Sequence, residues 1–272
     1  MTTATIGAVR AAFDAARAQN RALLIGYLPA GFPSVEGCIA AAKAMVAGGV
    51  DIVEIGLPYS DPVMDGPVIQ EAVDAALRSG IRISEVIRTA GAVAATGAPT
   101  LVMSYWNPIE RHGVGAFADE LAAAGGAGVI TPDLTPEEAR SWTQASARAG
   151  LDTVFLVAPS SPDARIDRVA EVTTGFVYAA STMGVTGTRG HVGSRAHELV
   201  DRVRARTAAP VAVGLGVSTP AQAAEVAAYA DGVIVGSAFV RLLIDAADEA
   251  AGAAAVGALA AQLAAGVASA RS

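Results

Sequence analysis

Three observations predict an α/β fold, a single (β/α)8 (TIM) barrel domain over residues 1–272 with an extra N-terminal helix. Eight short β-rich runs recur along the chain, Ala-rich helical patterns separate them, and about 250 residues hold the set, the count and size of such a barrel. The runs are nearly continuous in apolar residues, as strands covered on both faces are, and strands alternating with helices pair in parallel. A doubly wound open sheet is the runner-up. Its glycine-rich dinucleotide loop would follow the first strand, where this chain has LPAGFPS instead of G-x-G-x-x-G. No linker, low-complexity tract or block of charge marks a second domain.

Taken in order, the N-terminal TTATIGAVRAAFDAARAQN is helical in pattern, carries charges throughout and lacks the apolar core of a secretory signal. The β-rich runs then follow as ALLIGYLPA (22–30), VDIVEIGLP (50–58), PTLVMSYW (99–106) and AGVITPDL (127–134). The second half continues with DTVFLVAP (152–159), GFVYAAST (175–182), PVAVGLGV (210–217) and DGVIVGSA (231–238). Segments such as SVEGCIAAAKAMVAGG open on Ser or Thr and close on Gly, the start and stop signals of helices. At the end, residues 250–270 are uncharged and long enough to span a bilayer. Their larger apolar side chains, Val256, Leu259, Leu263 and Val267, recur at spacings of three and four, so the segment reads as a helix with one face on a soluble body.

The second run contains the residue that asks for an explanation. An acid inside an apolar strand is costly unless it is paired or used. Alternation places Val50, Ile52 and Glu54 on one face and Val53 and Ile55 on the other. With the latter pair against the helices, Glu54 projects into the barrel mouth, where βα-loops build active sites. Asp61 and Asp65 then lie on the loop above, although Ser-Asp-Pro and Asp-Gly-Pro are turn formers in their own right. GVTGTRGHVG (184–193), after the sixth run, is a long glycine-rich loop in the style of a lid. VGLGVS and VGSA end the seventh and eighth runs, where barrels commonly hold a phosphate on backbone N–H groups, and Gly216, Gly236 and Ser237 stand there.

What the chain lacks narrows the chemistry. A formal charge of −7 argues against nucleic acid and anionic membrane surfaces as partners. The single cysteine, Cys38, suits a reducing cytoplasm and reads as a small buried helix residue. Lys43, the one lysine, sits in a helical segment, so no Schiff-base lysine faces the barrel. The three histidines do not cluster on strand ends, so no metal site is expected. Acid–base work by carboxylates remains, with Glu54 foremost.

EIGLPYSDPVMDGP closely resembles the signature of the tryptophan synthase α subunit family. LIGYLPAGFP, MSYWNP, GVITPDLTPEE, STMGVTGTRG, VGLGVS and VGSA follow in that family's order, so the resemblance covers essentially the whole chain. It implies retro-aldol cleavage of indole-3-glycerol phosphate to indole and glyceraldehyde 3-phosphate, without cofactor or metal in this chain. It also implies a pyridoxal-phosphate-dependent β subunit as partner in an α2β2 heterotetramer, in the cytoplasm. By the same match, Glu54 is the general acid–base and Asp65 accepts the indole N–H. Tyr178 sits near the glutamate, Tyr27 and Met103 wall the indole pocket, and Gly187, Gly216, Gly236 and Ser237 line the phosphate site. Thr186 corresponds to a lid threonine that reaches Asp65, while Asp61, Pro62, Asn107 and Pro108 fall where the family meets its β subunit. Thr182 stands where some relatives carry an arginine. The residues leave open another phosphate-binding barrel of the pathway, a paralogue releasing free indole, and a non-catalytic activator that keeps only the β-binding surface.

Overall fold

The computed structural model describes residues 7–180 and 189–271, the side chains of residues 189–193 excepted. The strands are β1 (Leu23–Pro29), β2 (Ile52–Gly56), β3 (Thr100–Met103), β4 (Gly128–Ile130), β5 (Asp152–Val154), β6 (Leu156–Val157), β7 (Val177–Ala180), β8 (Val211–Gly214) and β9 (Gly232–Val235). All pairs are parallel, in the order β5-β4-β3-β2-β1-β9-β8-β7-β6. The two edge strands, β5 and β6, come from one predicted run, broken only at Phe155. That run therefore pairs with β4 through its first half and β7 through its second, which brings the sheet round on itself as a barrel.

The helices are α1 (Ala8–Ala18), α2 (Val35–Ala47), α3 (Pro67–Arg78), α4 (Ile83–Ala94), α5 (Trp106–His112), α6 (Val114–Ala123), α7 (Arg140–Ala149), α8 (Asp163–Val172), α9 (Arg189–Arg204), α10 (Pro220–Ala227), α11 (Ser237–Ile244) and α12 (Glu249–Ser269). Each strand position is followed by at least one helix, and α1 precedes β1 as the expected extra element. Several predicted runs were too long at the mouth. Trp106 opens α5 rather than ending a strand, because its N–H donates to the Asp133 carboxylate (2.9 Å) and turns the chain into a helix. Residues 189–193, read as loop, belong to the backbone of α9.

The apolar residues sort into two layers. Val53 and Ile55 pack outward with the helices, while Ile25, Ile52, Leu101, Phe176 and Ile234 fill the barrel interior. Val50, expected to face inward, lies ahead of β2 and joins the outer layer, its alternation with Glu54 lost because the extended strand begins only at Ile52. Val9, Phe13 and Ala16 of α1 plug the interior from below. The Phe13 ring meets Phe176 at 5.4 Å, and Phe176 stacks in turn under Tyr178 at 6.3 Å. An aromatic column thus runs from the plug towards the mouth.

Acids at the bottom of the barrel have partners. Asp51 accepts the Leu24 N–H (2.9 Å) and both terminal Arg21 nitrogens, and Asp231 accepts the Val211 N–H (2.9 Å) and an Arg204 nitrogen. Asp152 takes the Val9 N–H (3.2 Å) at the start of α1 and the Thr174 hydroxyl (3.0 Å), so it caps the plug helix from across the chain. Cys38 is buried in α2, its Sγ donating to the Pro29 carbonyl, and Lys43 is exposed on the same helix. By length and composition α12 could cross a bilayer, yet it lays Val256, Ala260, Leu263 and Val267 on the barrel, beside α2, α10 and α11. Leu259, the remaining member of the predicted stripe, packs partly buried at the edge of that contact.

Candidate active site

The mouth of the barrel holds a cavity of about 370 Å³. Eight of the sequence-predicted site residues line it, namely Tyr27, Glu54, Asp65, Met103, Tyr178, Gly216, Gly236 and Ser237. They come from the C-terminal ends of six strands or the loops just beyond, the position expected of barrel chemistry. Thr186 and Gly187 lie outside the described residues, as does Thr182.

Glu54 is wholly buried, and neither of its carboxylate oxygens has a hydrogen-bond partner. Burial pushes its carboxyl up to about 8. A lone carboxylate in such a place would be strongly destabilising, so at neutral pH the group is held largely as the protonated acid. Parallel register sets Tyr27 of β1 beside Glu54 on one side and Leu101 of β3 on the other. This is the opposite of the three acids at the bottom, whose oxygens are engaged with backbone amides, arginines or the Thr174 hydroxyl. The contrast marks Glu54 as a group kept free for use.

Asp65 lies half-buried on the loop between β2 and α3. Burial raises its pKa, and a hydrogen bond from the Tyr105 hydroxyl to Oδ1 (3.4 Å) works in the opposite direction. The Tyr105 oxygen also accepts the Met64 N–H at 2.9 Å. Tyr27 is buried and Tyr178 half-buried, and each leans over a glycine of the neighbouring strand, Gly56 and Gly214 respectively, where a side chain would collide with the ring. Burial raises both phenols, and the nearby Glu54 and Asp65 charges raise them further, so both stay neutral.

Across the cavity, Gly216 follows β8 with φ +71°, a left-handed conformation that favours glycine. Gly236 ends β9 as the N-cap of α11, whose first residue is Ser237, and no side chain caps that helix. Its first N–H groups thus make the kind of helix end that receives an anion. A Cβ on Gly236 would press on the Tyr27 ring at 3.3 Å.

Asp61 stays outside the cavity, exposed and hydrogen-bonded to the Ser60 hydroxyl (2.6 Å). Pro62 is half-buried beside Val63 and Met64, which are 81% and 46% exposed. Asn107 and Pro108 occupy the first turn of α5, where proline is tolerated, and Asn107 donates to the Tyr59 hydroxyl (3.2 Å). The sequence reading missed the apolar walls Met64, Ile69, Leu156, Leu215 and Ile234. Leu156 and Ile234 were within reach by counting in twos along the inward face, since Leu156 pairs with Tyr178 and Ile234 stands two residues before Gly236. Tyr105 had no such signal. Among the described residues no group of three or more metal-ligating side chains is gathered.

Fold and site together define a (β/α)8-barrel protein whose mouth encloses an unpaired acid, a second carboxylate and an uncapped helix end, the equipment of an acid–base enzyme. The family model described as tryptophan synthase alpha chain matches residues 13–268. The tryptophan synthase alpha chain of Streptomyces avermitilis is 62% identical over 93% of this chain and 92% of its own, and that of Streptomyces coelicolor is 62% identical over 93% and 94%. Among solved structures, Mycobacterium tuberculosis tryptophan synthase in an open form superposes with a TM-score of 0.88 at 50% identity, covering 96% of this chain and 98% of that one. The alpha subunit from Legionella pneumophila superposes with a TM-score of 0.87 at 31% identity, over 97% and 99%. The chain belongs to the tryptophan synthase alpha chain family.

Proposed function

We infer that this chain is a single-domain lyase that cleaves indole-3-glycerol phosphate to indole and glyceraldehyde 3-phosphate in tryptophan biosynthesis. The observation that carries the mechanism is the buried Glu54 carboxyl with no partner on either oxygen. Breaking the C–C bond requires the indole ring to take up the bonding electron pair. A proton is delivered to ring carbon 3, positive charge builds on the ring nitrogen, and the side-chain hydroxyl loses its proton as the carbonyl forms. The net proton movement is from hydroxyl to ring carbon, so one group can perform both halves. Glu54, with a pKa near 8, gives its proton to the ring and receives the hydroxyl proton back. Asp65 receives the indole N–H and stabilises the charge that develops there. Tyr27, Met103 and the apolar walls hold the ring, while Gly216, Gly236 and Ser237 present backbone N–H groups to the phosphate. Thr186 and Gly187 are assigned to the closing loop and the phosphate site by family resemblance.

These roles need no cofactor in this chain, and pyridoxal phosphate belongs to the β subunit. The family's partner is that β subunit, and we place the docking face on Asp61, Pro62, Asn107 and Pro108, in an α2β2 heterotetramer. The exposed Val63 and Met64 support this reading, being the large apolar side chains most open to solvent among the described residues, on the same loop as Asp65. A reducing cytoplasm fits the single buried thiol. The test is indole release from indole-3-glycerol phosphate by the isolated chain, with and without added β subunit. Slow release that rises on adding β is expected. No release under either condition would contradict the assignment.

A further inference from the structure

The loop after β2 and the loop after β3 each lend the other a tyrosine. Tyr59, on the first, accepts a hydrogen bond from Asn107 in the opening turn of α5 (3.2 Å). Tyr105, on the second, accepts the Met64 N–H (2.9 Å) and donates to Asp65 Oδ1 (3.4 Å). The two rings lie against each other, with centroids 5.4 Å apart and planes tilted by 35°. The start of α5 is itself fixed to the barrel by the bond from the Trp106 N–H to Asp133 (2.9 Å). Asp65 therefore hangs from the frame through a continuous set of contacts, from Asp133 to α5 to the tyrosine pair. Burial pushes the Tyr105 hydroxyl up to about 12, so it keeps the proton it donates.

We propose that Tyr59 and Tyr105 form a reciprocal clasp that sets the position of Asp65, with both tyrosines acting as positioning residues for the cleavage. The proposal rests on the reading of Asp65 as acceptor of the indole N–H. Its physical basis is that the local hold on Asp65 is on its backbone, where the Gln70 side chain donates to the Asp65 carbonyl (2.8 Å), while the bond that reaches its carboxylate comes from Tyr105 on the other loop. A 3.4 Å bond is long for a hydroxyl on a carboxylate, and it holds Asp65 only because the ring pair and the Met64 N–H fix the donor. The clasp also links Asp65 to Asn107, one of the residues assigned to the β-docking face. A partner that shifts α5 would then shift Asp65 with it.

The test is steady-state indole release from indole-3-glycerol phosphate by the full chain and its variants. Tyr105→Phe removes one oxygen and should lower kcat about tenfold with KM little changed, because orientation is lost rather than binding. Tyr59→Leu should match it, and Tyr59→Phe, which keeps the ring contact, should recover most of the loss. In an Asp65→Asn background, Tyr105→Phe should cost less than about twofold more, since a residue acting through Asp65 has nothing left to position. Wild-type kcat in Tyr105→Phe beside an impaired Asp65→Asn would overturn the clasp alone, as would a full multiplicative loss in the double variant. Wild-type turnover in Asp65→Asn itself would overturn the role of Asp65, and the clasp with it.

Discussion

Position within the barrel decides what an acid does. Asp51, Asp152 and Asp231 each stand at or just before the start of a strand and accept backbone N–H groups there, so they hold the fold together. Glu54 stands near the end of its strand with nothing to accept. That difference has a measurable consequence. In the unfolded chain a glutamate ionises near pH 4.5, but in the fold Glu54 keeps its proton until about pH 8. Between those values the folded state binds more protons than the unfolded state, so stability falls as pH rises through the window. Glu54→Gln removes this liability. The variant should gain on the wild type as pH goes from 5 to 8, by on the order of 4 kcal/mol at the upper end. Urea unfolding at the two pH values checks it, and parallel pH profiles would show that Glu54 is not held protonated. Glu54 was legible in the sequence because an acid in an apolar strand breaks the rule of its surroundings. Asp61 and Asp65 were not separable by local sequence, since both sit in turns made of proline and glycine. Only the fold puts one in the cavity and the other in solvent.

At the level of elements, the alternation of strands and helices was readable throughout because each strand is apolar on both faces. The ends of strands were not, because what stops them at the mouth is tertiary. The bond from Trp106 to Asp133 starts α5, and nothing near Trp106 announces it. The fifth run reads as one strand, yet it serves two neighbours and breaks at Phe155 to do so. The plug helix α1 is tied to the interior by Phe13, which is 2% exposed. Phe13→Ala should cost about 3–4 kcal/mol of stability by denaturant titration, the range for deleting a buried phenylalanine side chain. The variant's turnover at low temperature should stay near wild type, since the plug lies at the far end of the barrel from Glu54. The N-terminus of α11 gives a second prediction. Gly236→Val would fill the anion's place and press on Tyr27, so KM for indole-3-glycerol phosphate should rise tenfold or more. An unchanged KM would place the phosphate elsewhere.

At the level of the whole molecule, the catalytic cavity and the proposed docking face share one loop. Val63 is exposed while Met64 and Asp65, the next two residues, line the cavity. A partner seated on Val63 and Asp61 would act directly on the position of the second carboxylate. Val63→Asp should therefore raise the concentration of β subunit needed for half-maximal activation by tenfold or more and leave basal indole release unchanged. Equal activation curves for variant and wild type would move the docking face off this loop. The central claim is that one buried acid carries both proton transfers of the cleavage, and the most direct measurement is single-turnover indole release by Glu54→Gln at saturating indole-3-glycerol phosphate. A loss of about a hundredfold or more, with substrate still bound at wild-type affinity, is the expected result. Release at near wild-type rate would contradict it.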